Sequence, residues 1–137
     1  MIIGKRPSAA LREQLETYPG VRVLGEVEDI RPHVLSAAVS VAPLVSGAGI
    51  KNKILEAWAL ATAVVATSLA ARGLGCEDGK QILIGDSPRV FAGHVLSLLT
   101  QPDKRERIAR AGRDHVARNY RWEASRDAFN SIVESAA

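Results

Sequence analysis

Apolar positions along this chain alternate between two patterns. Short continuous runs rich in Val, Ile and Ala occupy residues 1–3, 21–24, 39–43, 63–67 and 81–84 and predict strands. Stretches with apolar residues at three-to-four spacing lie between and after them, at 8–17, 30–38, 50–61, 69–73 and 88–100, and predict helices. Two further helices, 102–119 and 122–135, are expected to close the chain; the last carries Trp122, Ser125, Phe129, Ile132, Val133 and Ala136 as one stripe. Strands that are apolar throughout, separated by helices, predict an α/β protein with a doubly wound parallel sheet covered on both faces. Local punctuation agrees. Ser8 and Asp29 stand where N-caps belong, Pro19-Gly20 marks a turn, and Asp86-Ser87-Pro88 reads as a cap followed by proline at the first helical position.

Composition narrows this picture. The chain has 137 residues, expected to form a single domain over 1–137, with 47% apolar and 24% charged residues, as in an ordinary water-soluble fold. Two Trp, two Tyr and two Phe leave the interior to aliphatic side chains. The net charge of +3 is mildly basic, and the densest basic cluster (Lys104, Arg105, Arg107, Arg110, Arg113) is interrupted by Asp103, Glu106 and Asp114. That is a solvated helix face, so no nucleic-acid partner is expected. The single cysteine, Cys76, excludes an intrachain disulfide framework and places the chain in a reducing, cytoplasmic setting. No apolar run approaches membrane-spanning length, which leaves open loose attachment at the inner face of a membrane. The chain enters directly in a predicted strand, whereas a doubly wound domain ordinarily has a strand and helix ahead of it. A missing first strand is therefore expected, together with a partner surface, either a further domain or a second copy.

The stretch Val41-Ala-Pro-Leu-Val-Ser-Gly-Ala-Gly-Ile-Lys-Asn-Lys-Ile-Leu-Glu-Ala57 carries the candidate chemistry. It reads as a strand, a loop with two glycines and a helix start. Unpaired N–H groups and the helix dipole at such a place favour an anionic phosphate, and small residues let it approach the backbone. Gly47, Ala48, Gly49 and Ile50 are the expected amide donors; a plain strand-to-helix turn is the alternative. In the helix, Ile50, Ile54, Ala57, Trp58 and Ala61 form the face expected to be buried. Lys53 in the first turn opposes the dipole, which a bound anion would explain, and Glu56 one turn deeper is placed to accept two hydrogen bonds from a ribose diol. An exposed Lys53–Glu56 pair is the competing explanation. The loop Gly25-Glu-Val-Glu-Asp29 after the second strand is expected to lie beside a ligand at the switch point. His33, His94 and His115 fall inside predicted helices, with neither metal-ligand spacing nor a Ser–His–acid arrangement.

In order, Gly25-Glu-Val-Glu-Asp29, Ala42-Pro-Leu, Gly47-Ala-Gly-Ile-Lys-Asn-Lys-Ile-Leu-Glu-Ala-Trp-Ala59, Ala63-Val-Val-Ala-Thr67, Gly73-Leu, residues 79–85, Phe91-Ala92 and Tyr120-Arg-Trp122 resemble the C-terminal, donor-binding domain of retaining GT-B-fold glycosyltransferases. The resemblance is nearest to glycosyltransferase group 1 members that build bacterial exopolysaccharides, and it covers residues 1–135. It implies one Rossmann-like half of a two-domain enzyme. A nucleotide diphosphate sugar would be the donor and no metal would be required. The ribose would be held by Glu56, the diphosphate and sugar would face Gly47, Ala48, Gly49 and Ile50, and the base would lie by the loop containing Glu26 and Val27. In such enzymes the departing diphosphate is thought to assist the incoming hydroxyl, which removes the need for a protein nucleophile.

The pattern departs from the family in two ways. The glutamate expected eight residues before Glu56 is replaced by Ala48, and the cations that commonly neutralise the diphosphate have no counterpart in the matched segments. Lys51 or Lys53 would supply part of that charge, with Lys53 the stronger candidate for electrostatic support. The chain is therefore expected to bind donor and to be inactive without an N-terminal acceptor domain. The rival expectations are a non-catalytic nucleotide-binding or assembly module and the donor half of a nucleotide-sugar epimerase.

Overall fold

A computed structural model describes residues 1–47 and 51–120 of the chain. The helix expected at 122–135 lies outside the described residues. The chain divides into two compact units, Met1–His33 and Val34–Ala137.

In the first unit, β1 (Ile2–Ile3), α1 (Ala9–Glu16) and β2 (Val23–Gly25) form a strand–helix–strand element. The two strands are parallel, with Ile2 opposite Val23, Ile3 opposite Gly25 and an irregularity in register between them. Ser8 caps α1 by accepting the Leu11 N–H at 3.2 Å, as its position predicts. After Pro19, Gly20 at φ +83° makes the turn into β2, a backbone state that costs glycine nothing. Burial is thin: Val23 is the buried apolar side chain of this unit, and α1 has no buried residue. Helix α2 (Arg31–Leu35) is shorter than the predicted 30–38, because the Ala37 N–H turns back to the Val34 carbonyl at 3.1 Å and ends it.

The second unit contains β3 (Val39–Ala42), α3 (Asn52–Ala59), β4 (Ala63–Ala66), α4 (Ser68–Ala71), β5 (Leu83–Ile84), α5 (Pro88–Thr100) and α6 (Pro102–Asn119). Its strands are all parallel in the order β3-β4-β5. Every residue of β4 is buried. Val64 and Ala66 face one apolar cluster with Ile54, Ala57, Trp58, Ala70, Leu74 and Ile82. Ala63 and Val65 face another with Leu83, Leu98, Ile108 and Ala109. A strand covered on both sides has no polar face to alternate with, which explains the continuous apolar run in its sequence. The protein is thus α/β, with parallel sheets flanked by helices, as predicted.

Trp58 is the centre of the first cluster. Its indole N–H donates to the Gln81 carbonyl at 3.1 Å, and the His115 ring meets it edge-on at 5.4 Å. His115 Nε2 lies 2.7 Å from the Leu74 carbonyl and so carries the proton there, leaving Nδ1 to accept from Asn119 at 3.2 Å. Gln81 is thereby drawn out of the predicted strand. Its side-chain oxygen also accepts the Glu77 N–H, and β5 shrinks to two residues. One expectation for α3 fails: Ala61 is exposed. The helix ends before it, with Ala61 at φ +53°, the Thr62 N–H bonded to the Ala57 carbonyl and the Ala61 N–H to the Trp58 carbonyl. Those two bonds are a Schellman closure, which turns the residue after the cap away from the buried face.

Candidate functional site

The site predicted around the glycine loop is positioned by the carboxyl end of the three-stranded sheet. Strand β3 ends at Ala42, and the chain crosses Pro43 and Leu44 before reaching Gly47. Thr67, just past the end of β4, ties this segment down. Its hydroxyl donates to the Leu44 carbonyl at 2.6 Å and accepts the Ala70 N–H at 3.2 Å, so one oxygen caps α4 and anchors the loop that leads toward α3. The Thr67 N–H adds a bond to the Ala42 carbonyl at 3.3 Å. Asp86, predicted as part of the α5 cap, instead accepts the Ser68 N–H at 2.8 Å, and Ser87 alone caps α5 through the Val90 N–H. The tips following β3, β4 and β5 are therefore cross-braced. The apolar run predicts Thr67 as the last residue of a strand; the sequence signal of its capping role is a threonine directly ahead of a short alanine-rich helix.

Of the predicted phosphate-facing residues, Gly47 is described, and Ala48, Gly49 and Ile50 lie outside the described residues. Gly47 sits at φ +117°, where side-chain-bearing residues are strained, and a Cβ built on it would stand 3.2 Å from Lys51 Nζ. Helix α3 starts after Lys51, which occupies the N-cap position without capping through its side chain. Lys51 is only 9% exposed, so its ammonium is packed in against the glycine turn. Lys53, the preferred cation in the sequence reading, is exposed on the helix surface. Glu56 is exposed one turn in from the helix start, and among the described residues its carboxylate has no ion pair with Lys53 or any other cation. Ile54, Ala57 and Trp58 hold the opposite side of α3 in the core, so the helix cannot rotate Glu56 inward without unpacking them.

The other predicted segment belongs to the first unit. Gly25 adopts φ +75° at the end of β2, Glu26 is exposed and bridges to Lys5 at 2.8 Å, and Val27 is half-buried. Asp29 closes the loop by accepting the Arg31 N–H at 2.9 Å and the Arg31 guanidinium at 2.9 and 3.1 Å. Those hydrogen bonds hold its carboxyl below the usual carboxylate range. No group of three or more His, Cys, Asp or Glu able to hold a metal occurs among the described residues. No helix among them is long and apolar enough to cross a membrane.

Two parallel sheets flanked by helices and a glycine turn leading into α3 coincide with a family match. Residues 1–101 match the family described as Glycosyl transferases group 1. The chain belongs to this family. It is 31% identical over 143 residues to a phosphatidyl-myo-inositol mannosyltransferase of Mycobacterium leprae (strain TN), an alignment covering 100% of this chain and 38% of that protein. It is also 30% identical over 92 residues to an uncharacterized 44.6 kDa protein in the cps region of Klebsiella pneumoniae, covering 67% of this chain and 23% of that protein. The chain therefore spans well under half the length of either relative, and the matched family region contains every predicted site residue, from Glu26 to Glu56.

Proposed function

We propose that this chain is the donor-binding part of a retaining GT-B-type glycosyltransferase and takes a nucleotide diphosphate sugar. Glu56 accepts the two ribose hydroxyls. Gly47, Ala48, Gly49 and Ile50 present amides to the diphosphate and sugar, and the loop with Glu26 and Val27 lies by the base. Lys53 gives electrostatic support from the helix surface, and Lys51, packed against Gly47, contributes positive charge nearer the turn. In the reaction the bond from the sugar's anomeric carbon to the diphosphate oxygen breaks, and a bond to the acceptor oxygen forms on the same face. The acceptor proton passes to the departing diphosphate, and no metal is required. Turnover requires an acceptor-binding domain working together with this donor-binding part. The two relatives support a role in building surface polysaccharide or glycolipid, with mannose the first sugar to test.

The observation that carries this reading is the Glu56 carboxylate: exposed, without an ion pair among the described residues, and held outward by a helix whose other side is locked in the core. A surface salt bridge with Lys53, the simpler use for both residues, is not formed. The test is calorimetric titration of the chain with UDP and GDP, alone and as mannosyl or glucosyl conjugates. Glu56→Ala should weaken binding by about tenfold or more, the loss expected for two hydrogen bonds to a charged acceptor. Equal affinity of the two proteins would remove Glu56 from the ribose, and no binding of any nucleotide by the wild type would remove the donor reading.

A further inference from the structure

The two strands of the first unit run parallel, so their carboxyl ends open into neighbouring loops. One loop is Gly4-Lys5-Arg6-Pro7, ahead of the Ser8 cap of α1, and the other begins at Gly25-Glu26-Val27. Two contacts tie them together: the Gly4 N–H donates to the Gly25 carbonyl at 2.9 Å, and Lys5 Nζ meets Glu26 at 2.8 Å. Arg6 sits in the first loop at φ +48°. A left-handed backbone is costly for a residue with a side chain, and a following proline ordinarily drives its predecessor to an extended state. Among the described residues Ala61 is the one other non-glycine residue with positive φ, and there it closes α3. Arg6 follows a strand and closes no helix. Strain at the carboxyl end of a parallel strand is typical of a ligand-contacting position. The charge of Arg6 is also uncommitted. Lys5 pairs with Glu26, Arg12 with Glu16 and Arg31 with Asp29, while Arg22 precedes β2 and stands at the amino end of the sheet. Among the described residues Arg6 is exposed and has no ion pair.

We propose, resting on the donor-binding reading above, that Arg6 reads the base of the donor nucleotide and selects guanine. A guanidinium presents parallel N–H groups on a rigid plane. Guanine offers two adjacent acceptors, O6 and N7, and the two planes join through a pair of hydrogen bonds. Uracil sets its O4 acceptor beside an N3–H donor, and adenine sets N7 beside the N6 amino donor, so neither accepts from both arms of the fork. Lys5 does not serve in this way: its ammonium is a single point charge, and Glu26 holds it. By holding Glu26, Lys5 instead keeps the second loop beside the first. Val27, next in sequence and half-buried, offers an apolar neighbour to the ring. The left-handed backbone at residue 6 would cost glycine nothing, but glycine carries no guanidinium. The strain is kept because the side chain has a use.

Calorimetric titration of the chain with GDP, UDP and 7-deaza-GDP tests this. GDP should bind about tenfold or more tighter than UDP, and 7-deaza-GDP, which lacks the N7 acceptor, should fall toward UDP. Arg6→Lys keeps the charge and loses the fork, so it should weaken GDP by about tenfold and leave UDP within about twofold of the wild type. Arg6→Gly relieves the backbone, so its thermal midpoint without nucleotide should hold or rise while the preference for GDP disappears. An equal loss of GDP and UDP affinity in both variants would place Arg6 on the diphosphate and overturn the proposal, as would a GDP preference that survives both substitutions. A wild type that binds GDP no tighter than UDP, with both weakened by Glu56→Ala, overturns it and leaves the donor reading standing. A wild type that binds neither nucleotide removes the donor reading and the base reader together.

Discussion

Gly112 shows how much one missing atom decides. It lies in the middle of α6, and a Cβ added there would stand 2.3 Å from Trp58 Cδ1 and 2.7 Å from Nε1. The indole cannot retreat, since Gln81 and His115 hold its other sides. Gly112→Ala raises helix propensity, which favours the variant by about 1 kcal/mol. Overpacking against a fixed ring opposes it and wins, so a net loss of about 1–3 kcal/mol is expected in denaturant unfolding. Unchanged stability would mean that α3 and α6 slide apart easily. Ala61 makes the opposite case. It occupies a left-handed position that glycine fills without strain, so Ala61→Gly should be neutral or stabilising by up to about 1 kcal/mol, although glycine elsewhere costs stability. Neither position is legible from the sequence. Gly112 looks like a defect in a helix until its neighbour 54 positions away is known, and Ala61 continues the apolar stripe of α3 until the helix is seen to stop. The burial of Lys51 was hidden for a related reason: adjacent helix-start positions differ by about 100° in direction, and the true start lay two residues later than predicted.

At the scale of elements, the limits of α5 and α6 were readable at both ends and those of the short strands were not. Ser8, Ser87 and Pro88 mark helix starts through chemistry that lies within a few residues, and the structure uses them as expected. The short strands depend on distant partners instead. Gln81 leaves β5 because Trp58 and Glu77 claim it, and Thr67 leaves β4 because Leu44 and Ala70 do. Thr67→Val keeps the shape and removes both hydroxyl bonds, which should cost about 1–2 kcal/mol through the lost cap and the unpaired Leu44 carbonyl. If the hydroxyl also sets the loop beyond Leu44, nucleotide affinity falls more than stability alone explains. The segment between α4 and β5 adds a pH dependence. Burial pushes the Cys76 thiol above its ordinary value of 9.0, and burial, with the nearby Cys76, pushes Tyr120 up as well. Both groups are neutral when protonated, so the unfolded chain ionises first. Their contribution to stability is full below the unfolded pKa and falls as pH rises above about 9. Thermal unfolding should therefore show a decline on the alkaline side that is reduced in Cys76→Ala. Cys76 should also react with iodoacetamide more slowly at pH 8.5 than the same thiol in the unfolded chain.

For the molecule as a whole, the class was legible because a parallel sheet covered on both faces leaves a mark in every strand: β4 is apolar at all four positions and buried at all four. The unequal weight of the two units was not legible, because the first has the same strand–helix–strand rhythm and the same local caps as the second. The difference lies in what each rhythm buries. Val34–Ala137 builds two apolar clusters around β4, whereas Met1–His33 buries the Val23 side chain and leaves Ile2, Leu11, Tyr18 and Leu24 largely in solvent. A fully buried aliphatic side chain contributes about 1.5–3 kcal/mol and ordering a residue costs about 1–2 kcal/mol, so a unit with one such side chain depends on its ladder and its caps. Opening of the first unit should therefore require much less free energy than opening of the second. Native-state hydrogen exchange measures both. The amides of Ile2 and Gly4, which donate to the Arg22 and Gly25 carbonyls, should exchange through a local opening at a fraction of the free energy that protects Val64 and Val65. A saturating nucleotide that reaches the loop at Glu26 and Val27 should raise protection of the first unit toward that of the second, because a ligand that binds only the ordered state adds its binding free energy to that state. Equal protection of Gly4 and Val65 without ligand would show that the chain opens as one body, and protection of the first unit unchanged by a nucleotide that does bind would take Glu26 and Val27 out of the base site while leaving Glu56 in place.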